Sequence, residues 1–183
     1  GRGCVRSCVE AMHSQHIRND EAALPAFAPV DESLVAMNAL NLTQRPPRSP
    51  RVRLGGYTIL PRLLDKARAT LAGTNGDYIY NNPNDGHFFR FTGLTPEALL
   101  EQVKSGAGDW DMLLWVNEHA PLKRTALEIQ QWADWTESVS FNDVEMREWF
   151  TDQIKRLNPA REDLRGTFDY LDLDDFVSFG GVA

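Results

Sequence analysis

Ile59, Leu60, Leu63, Leu64, Ala67 and Leu71 recur at the three-and-four spacing that lays one apolar stripe along an α-helix. Gly73 supplies the stop, with Asn75-Gly76 just beyond it. A stripe of this width has to be covered by other elements, and the chain downstream offers more helices to do it. Thr95-Pro96-Glu97 is a strong helix start, Thr as N-cap and Pro at the first helical position, and that helix carries Leu99, Leu100 and Val103 up to Gly106. Asp109 or Asp111 opens another, holding Met112, Trp115, Val116 and His119 before Pro121. A third carries Ala126, Ile129, Trp132, Ala133 and Thr136. Asn142 is placed to cap a fourth, which holds Met146, Trp149, Phe150, Ile154 and Leu157 and ends at Asn158-Pro159. Asp77-Tyr78-Ile79-Tyr80 reads as a short extended piece, Asn82-Pro83-Asn84-Asp85-Gly86 as a turn, and Phe88, Phe89 and Phe91 as core anchors. The tail after Gly166 alternates aromatic, leucine and aspartate residues and fits helix or strand. With no βαβ rhythm and no internal repeat, the expected fold is mostly α. It is a single helical domain of about five to six helices, with room for one short extended hairpin.

A length of 183 residues fits one domain, and 42% hydrophobic content is ordinary for a globular chain. The longest apolar run, Met112-Leu113-Leu114-Trp115-Val116, is far short of the roughly 20 residues a membrane span needs, so a soluble protein without a membrane partner is expected. Residues 1–40 read as an N-terminal arm. Pro25 and Pro29 interrupt it, and Val5–Asn19 could form only one short helix. The prolines of Arg45-Pro46-Pro47-Arg48-Ser49-Pro50 force an extended path, and a helical domain over 41–183 follows. Two cysteines are too few for a disulfide framework, and no secretory leader pattern is visible, so a cytoplasmic setting is expected. Opening on Gly1 rather than Met, the chain reads as a trimmed piece.

The charge is uneven. Residues 41–73 hold seven basic residues against Asp65 alone, whereas residues 128–183 hold 13 acids and five bases. A net charge of −7 argues against nucleic acid as a partner. Two readings of the basic segment stand: it grips an anion, or it pairs with the acidic half inside the fold. The anion reading rests on Arg48, Arg51, Arg53 and Arg62, whose guanidinium forks suit carboxylate or phosphate, and on Gly55 and Gly56 just before a helix, where bare backbone lets an anion approach. The GxxxxGK[ST] spacing of a P-loop is absent.

Other constellations are weaker. Asp85-Gly86-His87 places a histidine beside an acid, with Tyr57, Tyr78 or Tyr80 as acid partners, so Tyr57, Asp65 and His87 are the candidates if there is polar chemistry. Cys4, Cys8, His13 and His16 are metal-binding types, but on one helix they diverge and their spacing matches no common zinc module, so no metal or other cofactor is expected. The five tryptophans fall within residues 110–149, mostly on helical apolar faces, which predicts core packing rather than an aromatic cage. Asp169, Asp172, Asp174 and Asp175 lack the order of a calcium loop and read as a solvated face.

Leu42-Thr43-Gln44-Arg45-Pro46-Pro47-Arg48-Ser49-Pro50-Arg51, continued by Leu54-Gly55-Gly56-Tyr57-Thr58-Ile59-Leu60-Pro61-Arg62-Leu63-Leu64-Asp65-Lys66, resembles a bacterial family known as a domain of unknown function, number five thousand and sixty-nine in its series. Leu71-Ala72-Gly73, Phe89 to Gly93, Trp115 to Pro121, Glu128 to Trp132 and Thr167-Phe168-Asp169-Tyr170-Leu171-Asp172 resemble it too, so the likeness spans about residues 41–175. It implies a domain boundary near residue 41 and transfers no catalytic residues. The functional expectation is a binder of, or enzyme acting on, a small anionic ligand at segment 48–68. The alternative is a non-catalytic interaction or regulatory module that docks a protein partner or a second copy.

Overall fold

The computed structural model describes residues 39–140, 143–161 and 163–181. The N-terminal arm, with Cys4, Cys8, His13 and His16, lies outside the described residues. Within them the chain forms seven helices in the order α1 Leu60–Leu71, α2 Asp85–Thr92, α3 Pro96–Lys104, α4 Asp109–His119, α5 Ala126–Ser138, α6 Val144–Leu157 and α7 Thr167–Ser178. No strand forms among the described residues. Extended pairing is reduced to one isolated bridge, Leu54 to Tyr57, closed by mutual backbone hydrogen bonds of 3.0 Å around Gly55-Gly56. The mostly α expectation holds.

Local signals explain most of the boundaries. The Thr95 side chain accepts from the Ala98 amide, with Pro96 opening α3. Thr125 and Glu128 form a reciprocal capping box at α5. At α6 the cap is Asp143, whose carboxylate accepts from the Glu145 and Met146 amides, while Asn142 lies outside the described residues. Two segments resolve differently from the sequence reading. Phe88, Phe89 and Phe91 belong to a helix of eight residues, α2, anchored by reciprocal 3.1 Å hydrogen bonds between the backbone amides and side chains of Asn82 and Asp85. The ambiguous tail becomes α7.

α1 is the axis of the fold. Every residue from Leu60 to Ala69 is buried, the charged ones included. Leu60, Leu63, Leu64 and Ala67 join Tyr57, Phe88, Leu99, Val103, Met112, Val116, Ile129, Trp132 and Phe168 in one core, where α1 packs on α3. A smaller cluster of Phe150, Ile154 and Leu173 joins α6 to α7. Ile59, at the N-cap of α1, is held at φ +65° with its amide bonded to the Pro50 carbonyl, an uncommon conformation for a β-branched residue.

The tryptophans correct the core expectation. Trp132 is buried and stacks on Phe91 at 4.6 Å, but Trp110, Trp135 and Trp149 are 65%, 49% and 44% exposed. α4 turns Met112, Leu113 and Val116 inward and α5 turns Ile129, Trp132, Ala133 and Thr136 inward, which leaves Trp110 and Trp135 outside the buried stripes. Both of these helices are covered on one side only.

Candidate functional site

Because α1 is buried on all sides, its polar face cannot be solvated, and each charge on it has to find a partner. Asp65 accepts from the Arg48 backbone amide and Nε, both at 2.9 Å, and from Arg48 Nη2 at 2.7 Å. Asp109, at the start of α4, bridges Arg48 to Arg68, accepting from Arg68 Nη1 at 2.7 Å. Burial opposes ionisation of Asp109, but the hydrogen bonds from Arg48 and Arg68 outweigh it and hold the carboxyl below its ordinary range. Lys66 Nζ donates to both Asp85 oxygens, at 2.7 and 2.6 Å, and to the Ile79 carbonyl, with both side chains almost wholly enclosed. Burial pushes this ammonium down against the pull of Asp85. Arg62 Nη1 and Nη2 donate to the two oxygens of Asp175 at 2.6 and 3.2 Å, and the Tyr78 hydroxyl donates to the same carboxylate at 2.6 Å.

The arginines ahead of α1 reach outward to later helices. Arg51 donates to Asp172 at 2.6 Å and to Asp169 at 2.5 Å on α7, and Arg53 donates to Asp134 and Glu137 on α5, each at 2.7 Å. The tail acids therefore do not form the solvated face their pattern suggests. Asp169, Asp172 and Asp175, three residues apart, form a carboxylate row that faces Arg51 and Arg62. Arg48, Arg51, Arg53 and Arg62 thus do not converge on one point. They fasten the segment to α4, α7 and α5, as the pairing reading anticipates.

The polar candidates are also separated. Asp65 is committed to Arg48, and Asp85 is committed to Lys66 rather than to His87. The Tyr80 hydroxyl donates to the Pro96 carbonyl at 2.8 Å, and the Tyr57 hydroxyl reaches Asn117 at 3.4 Å. His87 is half-buried with its ring 5.7 Å from that of Trp135. Burial, and then Arg90, lowers its pKa below the ordinary 6.5. The unfolded chain then binds the proton more readily than the folded one, so stability is fully present above pH 6.5 and falls as the pH drops toward the folded value. His87→Gln is expected to flatten the urea midpoint between about pH 5 and 6.5. An unchanged slope would assign that dependence to other groups.

What the structure does bring together is one end of the basic segment. Arg53, Gly55, Gly56 and Tyr57 line a cleft of about 510 Å³ with Lys123 and Arg124 opposite, at the start of α5. Gly55 and Gly56 have φ of +59° and +89°, and a Cβ on Gly55 would collide with the Leu113 side chain, so only glycine fits there without strain. Lys123 Nζ donates to the Asn117 and Glu118 carbonyls at the C-terminus of α4 and pairs with no carboxylate among the described residues. The Arg124 guanidinium lies 4.8 Å over the Phe91 ring, its Nε donates to the Phe91 carbonyl, and its nearest acid, Glu128, is 3.9 Å away. The sequence reading missed Lys123 and Arg124. Their signal was two bases directly before a Thr-x-x-Glu capping box, which puts cations at a helix N-terminus.

Residues 44–177 match the family described as Domain of unknown function (DUF5069), which covers most of the chain. The chain belongs to that family. No curated protein matches it. The match takes in all seven helices except the last residue of α7, so every group of the cleft and of the ion-pair network lies within the DUF5069 region. No helix among the described residues is long and apolar enough to cross a membrane.

Proposed function

We propose that this DUF5069 domain binds a small anionic ligand, bearing phosphate or carboxylate, in the Gly55–Gly56 cleft. The observation that carries the reading is the sign of the lining: Arg53, Lys123 and Arg124 face the cleft and no acid among the described residues lines it. Arg53 is balanced by Asp134 and Glu137 and Arg124 meets Glu128 only at 3.9 Å, which leaves Lys123 as the cation with no carboxylate partner among the described residues and Arg124 as a loosely paired one. Neither Gly55 nor Gly56 uses its amide in the turn that joins Leu54 to Tyr57, and Ala126 of the cleft lies in the first turn of α5, where the helix dipole favours negative charge. The domain begins near residue 41 in this reading, close to the start of the family match at residue 44. A bacterial, cytoplasmic setting belongs to the same reading.

A thermal-shift series against phosphorylated and carboxylate metabolites at fixed ionic strength tests it. A ligand at one hundred times its dissociation constant adds about 2.7 kcal/mol. For a chain of this size that is a rise of roughly 5–10 °C in Tm. Lys123→Ala and Arg124→Ala are expected to abolish the rise, while Arg51→Ala, whose fork is committed to α7, leaves it in place. A rise that survives both cleft variants, or no rise with any anion, overturns the proposal. An interaction module is the second reading, favoured by the exposure of Trp110 with Leu114 one turn along α4 and of Trp149 on α6.

A further inference from the structure

A second cleft, of about 680 Å³, opens between the chain at Leu42–Thr43, the connection 76–82 and one face of α7. Its lining looks mixed in charge, with Arg62, Lys66, Asp77 and Asp174. The hydrogen bonds resolve the mixture. Lys66 spends its ammonium on both Asp85 oxygens and the Ile79 carbonyl. Arg62 is balanced by the two oxygens of Asp175. What remains are two carboxylates with no ion pair or hydrogen bond of their own among the described residues, Asp77 on the connection and Asp174 on α7. Asp174 is the telling one. It is half-buried, and burial first and then the adjacent Asp175 push its carboxyl up against a smaller opposing pull from Arg62, which spends its hydrogen bonds on Asp175. Apolar and aromatic groups flank it along α7, with Tyr170 and Leu171 one turn back and Phe179 just past the helix end.

We propose that this cleft binds an organic cation, a primary ammonium or guanidinium on an apolar or aromatic body, with Asp174 as its counter-ion. The charged head pairs with Asp174 while the body lies against the Tyr170 and Phe179 rings, an arrangement that combines a charge-assisted hydrogen bond with cation–π attraction. The two cations of the lining are already committed to Asp85 and Asp175, so an anion finds no unpaired positive charge among the described residues here. The inference is independent of the anion cleft, which shares none of these residues.

Isothermal titration of the full chain at constant ionic strength, using benzylammonium, benzyl alcohol and benzoate, tests it. Benzylammonium is expected to saturate one site with a Kd on the order of 1 mM, in keeping with its few heavy atoms. Benzyl alcohol and benzoate should bind at least about tenfold more weakly, since the pair to Asp174 is absent or repulsive. Asp174→Asn should weaken benzylammonium at least about tenfold and leave the urea midpoint unchanged or raised, because it removes an unpaired charge beside Asp175. Equal binding of the neutral or anionic probe, unchanged affinity in Asp174→Asn, or no saturation of benzylammonium by about 50 mM overturns the inference.

Discussion

Replacing Lys66 by alanine is expected to lower folding stability by about 3–5 kcal/mol, because it strands the Asp85 carboxylate in the core. Both residues are only 1% exposed, and Nζ lies 2.7 and 2.6 Å from the two carboxylate oxygens. Among the described residues no other cation pairs with Asp85: the other hydrogen bond to its carboxylate comes from the Asn82 amide. Asp85→Ala should cost as much for the converse reason, since the ammonium keeps only the Ile79 carbonyl. The double variant Lys66→Met with Asp85→Leu separates the cost of breaking the pair from the worth of having it. It should recover most of the loss, because well-packed apolar side chains replace a buried ion pair at little cost or some gain. Urea unfolding with unchanged m-values reads all three. A single variant losing less than about 1 kcal/mol would show that water reaches the pair and that α1 is not enclosed as described.

Arg62→Ala is expected to cause a loss of the same order, about 3–5 kcal/mol, with a different signature. Arg62 and Asp175 are 5% and 6% exposed, and Asp175 also takes the Tyr78 hydroxyl. Arg62→Lys should rescue it only in part, because the planar fork reaches Asp175 and the Arg48 carbonyl from two nitrogens at fixed spacing, whereas a lysine has to reach all three oxygens from one atom on a side chain of different length. The contact joins residues 113 apart in sequence and, with Arg51 on Asp169 and Asp172, secures α7 to the centre of the fold. Amides of α7 should therefore lose hydrogen-exchange protection in Arg62→Ala before those of α3 do. Uniform loss across the protein would show that α7 is held by its apolar contacts instead.

The helices were legible where local rules act. Thr95-Pro96, the Thr125–Glu128 box and the glycine stops at 73 and 106 each specify a boundary through backbone groups within a few residues. α7 was less legible because Thr167 to Ser178 is apolar around much of its circumference and its hydrogen-bonded partners are arginines more than 110 residues away. Of the candidate site, Arg53, Gly55, Gly56 and Tyr57 meet in one cleft, but the residues that leave it with unbalanced positive charge, Lys123 and Arg124, come from a connection with no apolar pattern to draw attention to it. The tryptophans were misplaced for a related reason: a helical period marks a stripe, but not how far round the helix its neighbours will cover.

Residue order and spacing alone specify a helical chain with a basic segment ahead of its central helix and an acidic half behind. Periodicity, capping and net charge are properties of short stretches and survive without a fold. It takes the packing of the other helices to bury α1 on its polar side as well as its apolar one. Burial there forces every charge to take a partner, and so turns an apparent anion-binding arginine cluster into the ion pairs that join α1 and its leading segment to α2, α4, α5 and α7.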